Sequence, residues 1–140
     1  RFKGETVSMQ IKLKPKTFGP VFIHTDQQRT IRYGRSNDSV DQVAPPTDSP
    51  ADTLLFSLGA CIAISLQMQA EKNEITLGAF QVQVTSKKAE DLPNRFDCFE
   101  VLIPRSIFED PEFAESLLRS AKSICTVSNT LNAEVTLTLI

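Results

Sequence analysis

Three cysteines, one histidine and a triplet of arginines are the residues of this chain whose types suit chemistry beyond packing. The cysteines are Cys61, Cys98 and Cys125. A cysteine acts as a nucleophile only as its thiolate, and a thiolate needs a cation or free backbone N–H groups beside it. Cys125 sits in AKSICTVSNTL, between the end of one apolar-periodic segment and the start of a short one. A residue at such a junction has unpaired N–H donors within reach, and Arg119 and Lys122 are close in sequence. Packing and chemistry remain open readings there. Cys61 lies in the middle of SPADTLLFSLGACIAISL, where every neighbouring N–H is used by the helix. Any activation must then come from a side-chain cation, and position by itself favours packing. Cys98 falls mid-strand between Asp97 and Phe99 and reads as structural. His24 stands alone on a strand and reads the same way. Arg29, Arg32 and Arg35 are spaced by three. They form either a solvated edge or a guanidinium folded over a site.

These residues need elements to hold them. Ser49, Pro50 and Asp52 form a helix start, with a capping hydroxyl, a proline in the first turn and an acid at the positive end of the dipole. The run Leu54–Leu66 is apolar on nearly every face, which marks a buried helix. It is shorter than the ~20 residues of a membrane span and reads as core. The helix continues to Lys72. Asp110 and Pro111 repeat the start signal, and Phe113, Leu117, Leu118 and Ala121 give the stripe of a second helix. Alternation predicts strands over Val7–Leu13, Val21–Thr25, Arg29–Tyr33, Phe80–Thr85, Phe96–Ile103 and Ala133–Leu139. Residues 34–48, with Pro45 and Pro46, form a loop long enough to be functional or mobile. A short turn of helix is expected over Thr126–Leu131. Small residues around Gly59 imply a close approach by another helix or backbone, from a second copy or from the second helix. The order predicts one α+β domain over residues 1–140, with largely antiparallel strands packed on two helices.

Composition narrows the function classes. The chain has 140 residues and a net charge of −2. That balance gives no pull toward nucleic acid or an anionic membrane surface, and neither is expected as a partner. One histidine and no CxxC or HxxxH spacing argue against a zinc site, so no metal or cofactor is expected. Three sparse cysteines fit a reducing compartment. With no charged-then-apolar leader, a cytoplasmic location is expected. The chain opens on Arg1 rather than Met, which leaves room for native residues upstream.

Two segments taken together carry a resemblance. SPADTLLFSLGACIAISL, a Pro-capped apolar helix with Gly-Ala-Cys at its centre, is followed much later by AKSICTVSNTLNAEVTLTL. In that order they resemble the OsmC/Ohr family of thiol peroxidases, the second segment being nearer the OsmC branch. The element order fits as well, so the resemblance covers essentially the whole chain. It implies an intertwined homodimer with two sites at the subunit interface. It also implies that Cys61 is the peroxidatic nucleophile and Cys125 the resolving cysteine, with a dithiol of lipoyl type as reductant. An organic hydroperoxide of fatty-acid type would be the substrate, and Leu54, Leu58, Ile62 and Ile64 would make the surroundings of Cys61 apolar. The family's thiolate-stabilising Arg would be Arg35, with Arg32 and Arg29 as successors.

The chain departs from the family at two positions. Where the family has a Glu ten residues before the helix cysteine, this chain has Ala51. Asp52, one residue on, is the candidate carboxylate of the site, although it is expected to point about 100° away around the helix and to serve the helix start. Thr126 follows Cys125 where Pro is common. Two other readings belong beside the enzyme. One is a non-catalytic dimeric module that binds an apolar ligand, and the other is a thiol redox sensor.

Overall fold

The computed structural model describes residues 16–140. The strand expected at Val7–Leu13 lies outside them. In chain order the elements are β1 (Thr17–Thr25), β2 (Ile31–Gly34), α1 (Pro50–Lys72), β3 (Phe80–Lys88) and β4 (Phe96–Ile103). A 3-10 turn (Arg105–Ile107), α2 (Pro111–Ile124), α3 (Thr126–Thr130) and β5 (Glu134–Leu139) complete it. The strands form one sheet in the order β2-β1-β3-β4-β5. All neighbours are antiparallel except β4 and β5, which run parallel because α2 and α3 carry the chain back across the sheet. This is the expected α+β class.

α1 starts as its sequence predicts. Ser49 is extended and its Oγ accepts the Asp52 N–H at 3.1 Å, with Pro50 in the first turn. Asp110 caps α2 in the same way, accepting the Glu112 N–H. One face of the sheet, carrying Val21, Ile23, Val82, Val84, Val101 and Ile103, is sealed against the helices. Each such side chain contributes roughly 1.5–3 kcal/mol relative to full exposure. By length and composition Pro50–Lys72 could cross a membrane, with a mean hydropathy of 1.5. In this fold its apolar surface lies on the sheet and on α2 and α3.

Gly59 makes that approach possible. A Cβ there would strike the Ile23 side chain and come within 2.8 Å of Val84 Cγ2. The close approach at Gly59 is therefore made by the sheet of the same chain, where a second copy or the second helix was expected. What α1 leaves open is a stripe at 3–4 spacing. Leu54, Ser57, Cys61, Ile64 and Met68 are partly or fully exposed, while their neighbours on the helix are mostly buried.

Three strand boundaries differ from expectation by more than one residue. β1 begins at Thr17, four residues early, because a bulge between Phe18 and Val21 carries pairing with β3 through Gly19 and Pro20. Gly19 adopts φ +85°, and a Cβ would lie 2.6 Å from the Val84 carbonyl oxygen. β2 begins at Ile31 rather than Arg29. The Asp26 carboxylate accepts N–H groups from Gln28 and Thr30, forming a turn that puts Arg29 at φ 63°. β3 continues to Lys88, three residues past the expected end at Thr85. The long loop after β2 is folded rather than free: Tyr33 and Gln42 exchange backbone hydrogen bonds at 2.9 and 3.0 Å, and Ser36 bridges Ser39. Tyr33 also stands edge-on to Phe56 of α1, with centroids 5.6 Å apart.

Candidate functional site: a cysteine pair and a clamped arginine

The fold brings Cys61 and Cys125 together. Cys61 is half-buried on the open stripe of α1, and Cys125 is completely buried at the junction of α2 and α3. Both are free thiols, and they lie close enough for each to feel the other's charge. Cys125 ends α2 and caps α3, its Sγ accepting the Ser128 N–H at 3.4 Å. At this junction burial outweighs the backbone N–H donors. Desolvation pushes the Cys125 thiol up from 9.0 to about 11. The Ser128 and Val127 N–H groups pull the other way and lose. Cys61 adds to the rise through its nearness and its negative charge when ionised. Cys125 therefore holds its proton more tightly than a free thiol does.

Cys98 is excluded from this pair by the sheet. On β4 it alternates with the inward-facing Phe99, Val101 and Ile103, and so points to the opposite face. There it lies between Lys87 and Glu134 in register. His24 shares that outer face, paired with Gln81 and Arg32.

The arginines separate clearly. Arg29 pairs with Glu71 at 3.0 Å, at the far end of α1. Arg32 donates from Nη1 to the Ile31 carbonyl of its own strand. Arg35 reaches the start of α1, where its Nε donates to Asp52 Oδ2 at 2.9 Å. Its Nη2 and Nη1 donate to Asp48 Oδ1 and Oδ2 at 2.7 and 3.3 Å. The Asp48 hydrogen bonds, followed by that to Asp52, hold the guanidinium above its ordinary range; the same bond from Arg35 holds the Asp48 carboxyl below the usual carboxylate range. Asp52 thus does more than serve the helix start. Its rotation from position 51 takes it away from the family's carboxylate direction, but the folded loop brings Arg35 to meet it. Asp48 was invisible to motif reasoning, because only the folded loop places it opposite Arg35.

Within one chain the cysteine pair and the clamped arginine are apart. Asp52 and Cys61 differ by nine helical positions, which is about 13.5 Å of rise and half a turn of rotation. Asp52 lies on the sheet side with Gly59, and Cys61 on the open side. Of the apolar residues expected around Cys61, Leu54 and Ile64 share its open stripe. Leu58 and Ile62 are fully buried and pack the site from behind. Among the described residues no group of three or more His, Cys, Asp or Glu side chains could hold a metal ion.

A family model described as OsmC-like protein matches residues 47–140, which include α1 with Cys61 and the α2–α3 junction with Cys125. The chain belongs to the OsmC-like family. Solved structures similar to it cover nearly their whole length. The organic hydroperoxide resistance protein OhrB of Bacillus subtilis matches with a TM-score of 0.57 at 18% identity, over 91% of this chain and 98% of that one. An OsmC-like protein of unknown function from Vibrio cholerae matches with 0.58 at 9% identity, over 92% and 100%. An organic hydroperoxide resistance protein OsmC from Legionella pneumophila matches with 0.54 at 15% identity, over 92% and 98%. At these identities the likeness establishes the OsmC-like fold, and relatives of both the Ohr and OsmC names share it. No curated protein sequence matches.

Proposed function

We propose that this OsmC-like protein is a cytoplasmic, cysteine-based peroxidase that reduces organic hydroperoxides in oxidative stress defence, nearer the OsmC than the Ohr branch. The observation that carries this reading is the proximity of a half-exposed Cys61 to a sealed Cys125. In the first step the Cys61 thiolate attacks the distal peroxide oxygen. The O–O bond breaks, Cys61 becomes a sulfenic acid, and the alcohol leaves after taking a proton. Cys125 then attacks the Cys61 sulfur, forming the disulfide and releasing water. A dithiol of lipoyl type reduces that disulfide and is itself oxidised. The environment of Cys125 suits this order. While Cys61 is a thiolate, its charge holds the Cys125 proton in place. A neutral sulfenic acid removes that charge just when Cys125 must react.

The acting unit is a homodimer. The stripe Leu54, Ser57, Cys61, Ile64 and Met68 is apolar apart from Ser57 and stays partly or fully exposed among the described residues. Arg35 of the same chain lies on the other side of α1. A second copy seated on the stripe covers it and brings its own Arg35–Asp52 pair to Cys61. The apolar stripe favours a fatty-acid-like hydroperoxide over hydrogen peroxide, and the chemistry uses no metal or cofactor.

The test is consumption of cumene or linoleic hydroperoxide with dihydrolipoamide. Cys61→Ser is expected to lose turnover by more than about 100-fold. Cys125→Ser is expected to consume one equivalent and stall as a sulfenic acid trappable by dimedone. Full activity in Cys61→Ser would sink the proposal. A redox sensor would draw on the same thiol pair, and it differs by forming one disulfide without sustained turnover.

A further inference from the structure

Arg35 carries two carboxylates, and they are not equivalent. Asp52 occupies Nε, is anchored in the first turn of α1, and has a side chain only 19% exposed. Asp48 occupies both Nη atoms, precedes the helix cap, and is 71% exposed. Its position is nevertheless set by the fold. Thr53 Oγ1 donates to the Pro46 carbonyl on one side, and Ser49 begins the capped helix on the other. The loop between Arg35 and Asp48 is closed by the Ser36–Ser39 bridge and the Tyr33–Gln42 pair. Asp48 therefore meets Arg35 by construction.

The charge and geometry of this cluster oppose what a thiolate requires. One guanidinium and two carboxylates sum to a formal charge of −1. Asp48 also covers the end-on fork of the guanidinium, the edge best shaped to receive an anion through two N–H groups at once. Of the five N–H donors, one on each Nη remains. Asp52 alone would orient Arg35 and leave its distal edge free.

We propose that Asp48 is a restraining residue, which holds the distal edge of Arg35 and lowers the reactivity of the Cys61 that Arg35 serves, while Asp52 is the positioning carboxylate in place of the one absent at Ala51. This rests on the reading above that Arg35 of one copy reaches Cys61 of another. Asp48 acts through Arg35 alone, so its effect disappears when Arg35 does. Being electrostatic at an exposed pair, the effect also shrinks with added salt.

The experiment follows two reactions of the full chain. One is alkylation of Cys61 by iodoacetamide, read by mass spectrometry, and the other is hydroperoxide consumption. At low ionic strength Asp48→Asn is expected to speed alkylation about threefold, within the range of an exposed ion pair. Asp52→Asn is expected to slow it about tenfold. In an Arg35→Met background Asp48→Asn should change nothing, which closes a double-mutant cycle. Asp48→Ser, with a shorter side chain, should behave as Asp48→Asn. The proposal is overturned if both Asp48 variants melt like the parent and alkylate no faster, or if the gain survives in Arg35→Met. Alkylation that follows this pattern while no variant consumes hydroperoxide would overturn the peroxidase reading and leave the role of Asp48 standing.

Discussion

The two flanks of α1 are built on opposite principles. On the open flank the cysteine pair is nearly dry and held by packing, with Cys125 sealed and Cys61 at the rim of an apolar stripe. On the sheet flank, half a turn away, Arg35 sits among carboxylates at a solvated helix start and is held by charge-assisted hydrogen bonds. The first arrangement controls reactivity by excluding water, and the second by aiming charge. On the function proposed above, these flanks are the two halves of one site, which a second copy completes.

The sharpest way to break this comparison is to mix two inactive proteins. Cys61→Ser retains Arg35 and Arg35→Met retains Cys61. If the halves serve each other across copies, the mixture recovers one intact site per mixed dimer, about a quarter of parental hydroperoxide turnover after subunit exchange. A mixture as inactive as its components would return Arg35 to a structural role at the helix start. A smaller effect separates the flanks by stability. Gly59→Ala is expected to cost about 1–3 kcal/mol in denaturant unfolding, because the added methyl meets Ile23 and Val84 on the sheet flank. The gain in helix propensity, about 1 kcal/mol, works against that cost. A stabilised variant would show that α1 can rise from the sheet freely.

The smallest effect is one of pH. Cys125 titrates near 11 in the folded chain against 9.0 for a free thiol, so the folded state holds the proton more tightly. The resulting stability is fully present below pH 9 and is lost as pH rises toward 11. Cys125→Ala should flatten the melting temperature across that window. An equal slope in parent and variant would mean that Cys125 is not the proton holder.

Much of the open flank was legible in the sequence. Ser49-Pro50 and Asp110-Pro111 are local cap signals, and local signals survive folding. The placement of Cys125 at a helix junction followed from the same grammar. Its proton affinity did not, because burial depends on what packs over it and sequence neighbours showed only donors and cations. The sheet flank was read poorly for a related reason. The rotation of Asp52 relative to Ala51 was reckoned along the helix, whereas its partner arrives from a loop closed by the Tyr33–Gln42 pair. Gly59 was understood as a close approach, but the approaching element is the sheet. The bulge at Gly19 and the turn at Arg29 arise from φ values that no periodicity records.

The sheet also sorts the three thiols into two populations. Cys61 and Cys125 share one side, while Cys98 lies on the other, held among Lys87 and Glu134 with its carbonyl accepting the Ser86 hydroxyl. The chain thereby carries its own reference standard. An oxidant that couples thiols by proximity finds a pair on one side of the sheet and a solitary sulfur on the other, so thiol counts should fall by two and leave one.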